Sequence, residues 1–118
     1  MSSTPVTSSH FPYLPLTLTV RGRIAAIEAL LDTGFDGHVV VPIGLITNGM
    51  VPDGSLEWML ADGSVVQAPA YIGSVQVGSF APVAVVISVL GDEPIVGRAV
   101  SDSFRVTLDH GQRVIVEP

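Results

Sequence analysis

The tripeptide Asp32-Thr33-Gly34 is the segment of the chain best suited to chemistry. It follows the apolar pair Leu30-Leu31, which would fix the preceding backbone, while the glycine allows another chain to approach closely. Hydrolysis of a peptide bond without a metal or a covalent nucleophile needs one group that takes a proton from water. It also needs a group that donates a proton to the carbonyl or the leaving amine. Two adjacent carboxylates that share one proton can perform both tasks.

The same tripeptide also has an ordinary structural interpretation. Asp, Thr and Gly are common turn formers, so the segment could simply close a hairpin through a side-chain hydrogen bond to the backbone. By chance, such a tripeptide occurs in roughly a few per cent of chains of this length. Its setting favours the catalytic interpretation, because it lies between a predicted strand that ends at Leu31 and a second predicted strand over residues 39–41.

The remaining pattern is that of a strand-rich protein. Segment 14–20 alternates apolar residues with Thr and Pro, which is the period of a half-buried strand. Segment 24–31 contains Ala, Glu and Leu, but its short length between a glycine turn and the tripeptide favours a strand over a helix. Further strands are predicted at 39–41, 71–77, 83–89, 104–108 and 113–116, with one helical turn within 43–50 and a short helix within 98–103.

Residues 56–70 are expected to form a β-hairpin. Leu56, Trp58 and Leu60 alternate along the outgoing arm, and Asp62-Gly63 is a dipeptide favoured at a two-residue hairpin turn. Trp58 could contact a ligand or a second subunit, or it could pack against its own sheet.

Composition indicates one globular domain. Hydrophobic residues make up 47% and charged residues 14% of the 118 residues, which suits a single packed core. We expect a flexible N-terminal tail over residues 1–12 and one domain over residues 13–118. The tail lacks the basic and hydrophobic regions of a secretion signal, and no apolar run reaches transmembrane length, so the cytoplasm is the expected location.

Charge and residue content argue against several kinds of function. The net charge is -6, and the sequence contains Arg but no Lys, which disfavours nucleic acids and anionic membranes as partners. The absence of Cys removes disulfides, thiolate nucleophiles and cysteine-based zinc sites. His10, His38 and His110 lack the paired spacing of metal ligands, and there is no Gly-x-Ser-x-Gly motif. We therefore expect no metal and no cofactor.

Taken in order, these segments resemble the retropepsin-like aspartic proteases, most closely their small prokaryotic members. The resemblance spans residues 14–116. In that family an acidic residue lies two positions after the Asp-Thr/Ser-Gly motif, matched by Asp36, and a hairpin called the flap follows, matched by residues 56–70. Near the C-terminus an apolar pair and Gly-Arg begin a short helix, matched by Gly97 and Arg98. The resemblance implies an all-β fold, a retropepsin-like closed β-barrel with a flap hairpin and one short C-terminal helix.

The resemblance also implies roles for individual residues. Asp32 would be the catalytic carboxylate, Thr33 would brace the two active-site loops of a dimer, and Gly34 would offer its backbone to the substrate. Asp36 would lie in the substrate-binding region and pair with Arg98, which would support the active-site loop. The other expected substrate-binding residues form the flap tip: Ala61, Asp62, Gly63 and Ser64.

The activity implied by the resemblance is that of an aspartic endopeptidase. Because the chain has a single Asp-Thr-Gly, a pair of such carboxylates requires a second copy, so a homodimer with one Asp32 per subunit is implied. The substrate would be an extended peptide or an unfolded protein, bound as an added strand under the flap. Two alternatives remain open: a catalytically silent retropepsin-fold dimer that binds extended peptides, and an unrelated β-barrel binding domain in which the tripeptide is only a turn.

Some features depart from the family pattern. Phe35 stands where retroviral members usually carry a small residue, and the flap tip has one glycine, Gly63, rather than several. The terminal segments do not match the interleaved terminal sheet of retroviral members. The sequence therefore leaves the shape of the substrate pocket, the movement of the flap and the dimer interface open.

Overall fold

The computed structural model of the chain describes residues 4–46 and 49–118. It is mostly β, with one short helix, α1, at Arg98–Ser101 and a 3-10 turn at Ile43–Leu45. The strands are β1 (Val6–Ser8), β2 (Tyr13–Val20), β3 (Arg23–Leu31), β4 (Val39–Val41), β5 (Gly54–Met59), β6 (Val65–Gln76), β7 (Val83–Val89), β8 (Ile95–Val96), β9 (Arg105–Asp109) and β10 (Arg113–Glu117). No helix in this described part of the chain is long and apolar enough to cross a membrane.

Most of the strands belong to a seven-stranded sheet with the order β2-β3-β8-β4-β7-β6-β5. Because β2 also pairs with β6, the strands from β2 to β6 in that order close into a ring, and β5 extends from it as an outer arm. A separate three-stranded sheet has the order β1-β10-β9. The predicted all-β architecture with one short helix near the C-terminus is confirmed.

Side-chain alternation explains how the core forms. In β2 the inward residues Leu14, Leu16, Leu18 and Val20 are each at most 4% exposed, while the residues between them are only half-buried. Strand β4 is buried along its whole length, as expected for a valine strand with structure on both faces. The predicted helical turn is present at Ile43–Leu45, and positions 47 and 48 of that stretch lie outside the described residues.

The β2–β3 hairpin is closed by Arg21 and Gly22. Both residues have positive φ angles, 50° and 79°, and Val20 pairs directly with Arg23. This left-handed backbone gives a turn whose twist matches that of the two strands, which is why Gly is favoured at the second position.

The N-terminal segment is more ordered than its composition indicates. A flexible tail is expected over residues 1–12, but Val6–Ser8 forms β1 and pairs antiparallel with β10. Ser8 is buried, and the side chain of Val6 packs against the core. The prediction is therefore wrong for residues 6–8, because polar residues with one apolar neighbour can complete a sheet that another strand has already begun. Residues 1–3 lie outside the described range.

The return arm of the hairpin and the strand predicted at 71–77 are one continuous strand, β6, of 12 residues. Pro69 lies within it, which the absence of a proline N–H would disfavour in a central strand. However, β7 begins to pair with β6 only at Ala70, so Pro69 is opposite Ser55 of β5 and is not paired with β7. The outer half of β6 is thus a two-stranded arm in which a proline is tolerated.

Asp53 joins the base of this arm to the β2–β3 turn. Its carboxylate accepts hydrogen bonds from the backbone N–H of Ile72 at 2.8 Å and from Arg21 Nη2 at 2.9 Å. These contacts, the Ile72 N–H first and Arg21 second, hold the pKa of the Asp53 carboxyl below its ordinary value of 3.8. The Arg21 guanidinium also lies 5.7 Å from the centre of the Tyr71 ring.

We expect Asp53→Asn to lower the melting temperature at neutral pH, because the amide keeps the size of the side chain but loses its charge. A carboxyl whose pKa is lower in the folded state stabilises the protein fully above its unfolded pKa, and this contribution disappears as the pH falls through the folded pKa. The difference in melting temperature between wild type and variant should therefore shrink below about pH 4.

The matched control is Asp92→Asn, at an exposed aspartate that lies outside these contacts. A melting-temperature difference for Asp53→Asn that is no larger than that of Asp92→Asn, or that is independent of pH, would contradict the assignment.

Candidate active site

The loop that carries Asp32 begins at the end of β3, where three strands meet. Strand β8 lies between β3, with which it is parallel, and β4, with which it is antiparallel. The Leu30 N–H donates to Pro94 O at 2.9 Å, and the Asp32 N–H donates to Val96 O at 3.0 Å. Backbone hydrogen bonds therefore fix the chain up to Asp32 itself.

The tripeptide forms a tight turn around the Asp32 carboxylate. The Gly34 N–H donates to Asp32 Oδ1 at 2.9 Å, and the Phe35 N–H donates to Asp32 O at 3.2 Å. Asp32, Thr33 and Gly34 are all exposed in the single chain. The tripeptide is thus a turn that also presents a carboxylate, because the turn orients the Asp32 side chain while leaving it accessible.

The start of α1 supports this loop through its backbone. The Gly97 N–H donates to His38 O at 2.9 Å, the Arg98 N–H to Phe35 O at 2.8 Å and the Ala99 N–H to Gly37 O at 3.1 Å. A Cβ atom at Gly97 would collide with the carbonyl oxygens of Gly37 and Phe35 and with the Phe35 ring. Glycine is therefore required at position 97 by the close approach of two backbone segments.

The ion pair expected between Asp36 and Arg98 is not formed in the single chain. Both residues are exposed. The ion pairs within residues 4–46 and 49–118 join His10 to Glu28, Arg21 to Asp53, and Asp109 to both His110 and Arg113. The single chain therefore lacks the predicted pair, and α1 is attached to the loop through the backbone of Arg98. An exposed pair would add only about 0–1 kcal/mol.

The hairpin predicted at 56–70 is present, with a turn that differs from the predicted one. The Gly63 N–H donates to Leu60 O at 2.9 Å, and the Leu60 N–H donates to Ser64 O at 2.8 Å. The loop thus contains Ala61 as well as Asp62 and Gly63. Gly63 has a φ angle of 86° and lies at the bulge of this longer turn, where a left-handed residue is needed.

Asp62 stabilises the turn from within. Its Oδ1 accepts hydrogen bonds from the Ser64 hydroxyl at 2.6 Å and from the Ser64 N–H at 2.8 Å. These bonds, the hydroxyl first, lower the pKa of the Asp62 carboxyl from its ordinary value of 3.8. Asp62 and Ser64 therefore have a structural task in the single chain.

A cleft of about 430 Å³ lies between the Asp32 loop and the hairpin. It combines one acidic group with a predominantly apolar wall, lined by Asp32, Phe35, Val40, Trp58, Met59, Leu60, Leu90, Gly91 and Ile95. Asp36 and the tip residues 61–64 do not line it in the single chain. A larger cavity of about 560 Å³, between β1 and the outer side of β2 and β3, contains none of the candidate catalytic residues.

Sequence reasoning missed the residue that orients Trp58. Trp58 Nε1 donates to the Ser88 hydroxyl at 3.3 Å, and Ser88 is only 1% exposed. Ser88 is the one polar residue in the apolar run of β7, and a buried hydroxyl needs a partner. A polar residue within an otherwise apolar strand was the signal by which the sequence could have identified Ser88. The choice of Trp58 as its partner depends on the register of β6 with β7, which the sequence does not specify.

Comparisons with known proteins identify the fold of the chain through a solved structure. No protein-family profile matches the sequence, and no curated protein does. Among solved structures, the chain is similar to a retropepsin-like aspartic protease from Rickettsia conorii, with a TM-score of 0.66 and 14% sequence identity over 96% of this chain and 90% of that one. At this identity the similarity concerns the fold alone. The predicted retropepsin-like fold is confirmed.

We expect Gly97→Ala to reduce the free energy of unfolding by about 1–3 kcal/mol, the range for forcing extra atoms into a packed site. The added methyl group must displace the Gly37 carbonyl, which is backbone and has little room to move. Urea unfolding measures the effect.

Gly44→Ala is the matched control, because no atom of residues 4–46 and 49–118 lies within 4 Å of the position that a Cβ would take at Gly44. Its free energy of unfolding should stay within about 0.5 kcal/mol of wild type. Equal effects of the two substitutions would mean that the contact at Gly97 does not constrain the loop.

Proposed function

We propose that the protein is an aspartic endopeptidase that acts as a homodimer, with Asp32 of each subunit contributing one carboxylate to a catalytic pair. The observation that carries the proposal is the position of Asp32 within a retropepsin-like fold. Its backbone is fixed by β8, its side chain is exposed, and it lines a cleft together with residues of the hairpin. The hairpin of β5 and β6 is then the flap.

The reaction follows from two carboxyl groups that share one proton. The ionised carboxylate takes a proton from a water molecule, and the water oxygen forms a bond with the carbonyl carbon of the peptide. The protonated carboxyl donates its proton to the carbonyl oxygen, which gives a tetrahedral diol. Collapse of the diol breaks the C–N bond: the protonated carboxyl donates its proton to the leaving nitrogen, and the ionised carboxylate takes a proton from one diol hydroxyl, whose oxygen becomes the carbonyl oxygen of the new carboxyl group. The pair ends with one proton, as it began.

The need for a dimer follows from the single Asp-Thr-Gly of the sequence. One exposed carboxylate can act as a general base, but it lacks a partner that donates a proton at the same moment. A second subunit with its Asp32 within hydrogen-bond distance supplies that partner. Thr33 is exposed beside Asp32, which suits a role in bracing the two loops against each other.

The substrate class follows from the shape and chemistry of the cleft. Its wall is largely apolar, so it favours peptides with apolar side chains near the cleaved bond. β5 is the outermost strand of its sheet, so an extended segment can bind alongside the flap through backbone hydrogen bonds. Folded proteins do not offer such segments, which makes extended peptides and unfolded proteins the proposed substrates. Asp36, Ala61 and Gly63 are exposed and are proposed to contact the substrate beyond the cleft.

The test is cleavage of an extended, apolar peptide by wild type and by Asp32→Asn over a range of pH and protein concentration. Wild-type activity should follow a bell with an acidic optimum, because it requires the pair to hold one proton, and both full protonation and full ionisation abolish it. Activity per chain should fall on dilution below the dimer dissociation constant. Asp32→Asn should lose activity while it still forms the dimer.

Asp102→Asn provides the control, since Asp102 is exposed and lies outside the cleft. Cleavage by Asp32→Asn equal to that by wild type would refute the role of Asp32. A wild type that is dimeric by sedimentation but inactive at every acidic pH would instead favour a silent dimer that binds extended peptides.

A further inference from the structure

The ring of Phe35 joins the active-site loop to the flap. The Phe35 and Trp58 rings meet edge to face, with their centres 5.1 Å apart and their planes at 60°. Such a contact is favourable because the positive edge of one ring meets the negative face of the other. Phe35 follows the Asp32 turn directly and Trp58 lies in β5, so a single aromatic pair spans the cleft between the two structures.

The backbone around Phe35 is built to accommodate its ring. A Cβ atom at Gly37 would lie 2.5 Å from Phe35 Cζ and 2.9 Å from Trp58 Cη2. A Cβ atom at Gly97 would lie 2.5 Å from Phe35 Cδ2. Neither position can carry a side chain while the two rings are in contact. The two rings therefore occupy space that is free only because positions 37 and 97 are glycines.

Trp58 is the side chain by which β5 is attached to the body of the protein. Every other residue of β5 is exposed, and Trp58 alone in that strand is partly buried. Its indole N–H also donates to the Ser88 hydroxyl of β7 at 3.3 Å. Two independent contacts, one to the active-site loop and one to the buried face of β7, thus hold the outgoing arm of the flap.

We propose that Phe35, Trp58 and Ser88 form a latch that holds the flap against the Asp32 loop and must release before an extended peptide enters the cleft. Both rings line the same cleft as Asp32, so their contact joins the two walls between which a peptide would bind. The latch residues are positioning residues, and their effect on cleavage rests on the function proposed above. Their effect on the flap itself does not depend on that function.

The latch predicts the direction of a kinetic change. When only the open form binds substrate, the apparent affinity is reduced by the fraction of protein that is open. Removing one aromatic contact should raise the ratio of open to closed forms by about 2- to 10-fold. Phe35→Leu should therefore lower KM by a similar factor. A purely structural role would instead reduce the amount of active enzyme and leave KM unchanged.

Trp58 provides a readout that needs no activity, because it is the only tryptophan of the chain. Quenching of its fluorescence by acrylamide measures how often the indole is accessible. In an Asp32→Asn background, Phe35→Leu should increase the quenching rate constant, and Ser88→Ala should increase it independently from the other side of the indole. Ser88 does not line the cleft, so Ser88→Ala alters the latch without altering the wall.

Phe104→Leu is the matched control, since Phe104 forms a second aromatic pair with Phe80, at 5.9 Å, away from the flap. It should leave both quenching and KM at wild-type values. Unchanged quenching in Phe35→Leu, or an equal increase in Phe104→Leu, would overturn the latch, the latter by indicating general loosening. Altered quenching together with inactive wild type would uphold the latch and refute the peptidase, so the two proposals fail separately.

Discussion

Backbone hydrogen bonding between residues 94–99 and the Asp32 loop is the constraint on which the rest of the site depends. The carbonyl oxygens of Pro94 and Val96 accept hydrogen bonds from the N–H groups of Leu30 and Asp32. The segment that follows, residues 97–99, donates its N–H groups to the carbonyl oxygens of Phe35, Gly37 and His38. The loop therefore donates hydrogen bonds to one part of this segment and accepts them from the other. The two backbones lie so close together that only glycine fits at position 97. A carboxylate can serve in catalysis only if its loop does not move on the timescale of the reaction, and a short two-residue strand achieves this by lying between β3 and β4.

Carboxylates outside the Asp32 loop stabilise three turns of the chain. The pKa of Asp53 is lowered by the Ile72 N–H and Arg21, that of Asp62 by the Ser64 hydroxyl and N–H, and that of Asp109 by His110 and Arg113. Each contribution to stability is complete above the ordinary pKa of aspartate and declines as the pH falls from there through the lower, folded pKa. The base and the tip of the β5–β6 hairpin and the turn between β9 and β10 therefore each depend on an ionised carboxylate.

The sequence predicted those elements whose structure depends on a local pattern of residues. The period of β2 and the all-valine β4 each indicate a strand through one dominant effect, and both are strands as predicted. The Asp62-Gly63 dipeptide correctly placed a hairpin turn. The turn at residues 61–63 was predicted one residue too short, because a two-residue loop and a bulged loop use the same residues. β1 could not be predicted, since its order comes from pairing with β10, more than a hundred positions away. The prediction of an Asp36–Arg98 pair was wrong because the resemblance specified the types of the two residues but not the direction in which their exposed side chains point.

Phe35, a large residue, affects both the support of the Asp32 loop and the cleft beside it. At the position where retroviral retropepsins usually carry a small side chain, this chain has a ring that lies against Gly37 and Gly97 and reaches Trp58. An apolar contact of this kind does not depend on ionisation, whereas an Asp36–Arg98 pair would weaken as its carboxylate became protonated. The loop that carries Asp32 is thus supported by backbone hydrogen bonds on one side and by an aromatic ring on the other. The same ring lines the cleft. Under the proposed function, support of the carboxylate and access of a substrate are therefore opposed at a single residue, and release of the proposed latch would satisfy both.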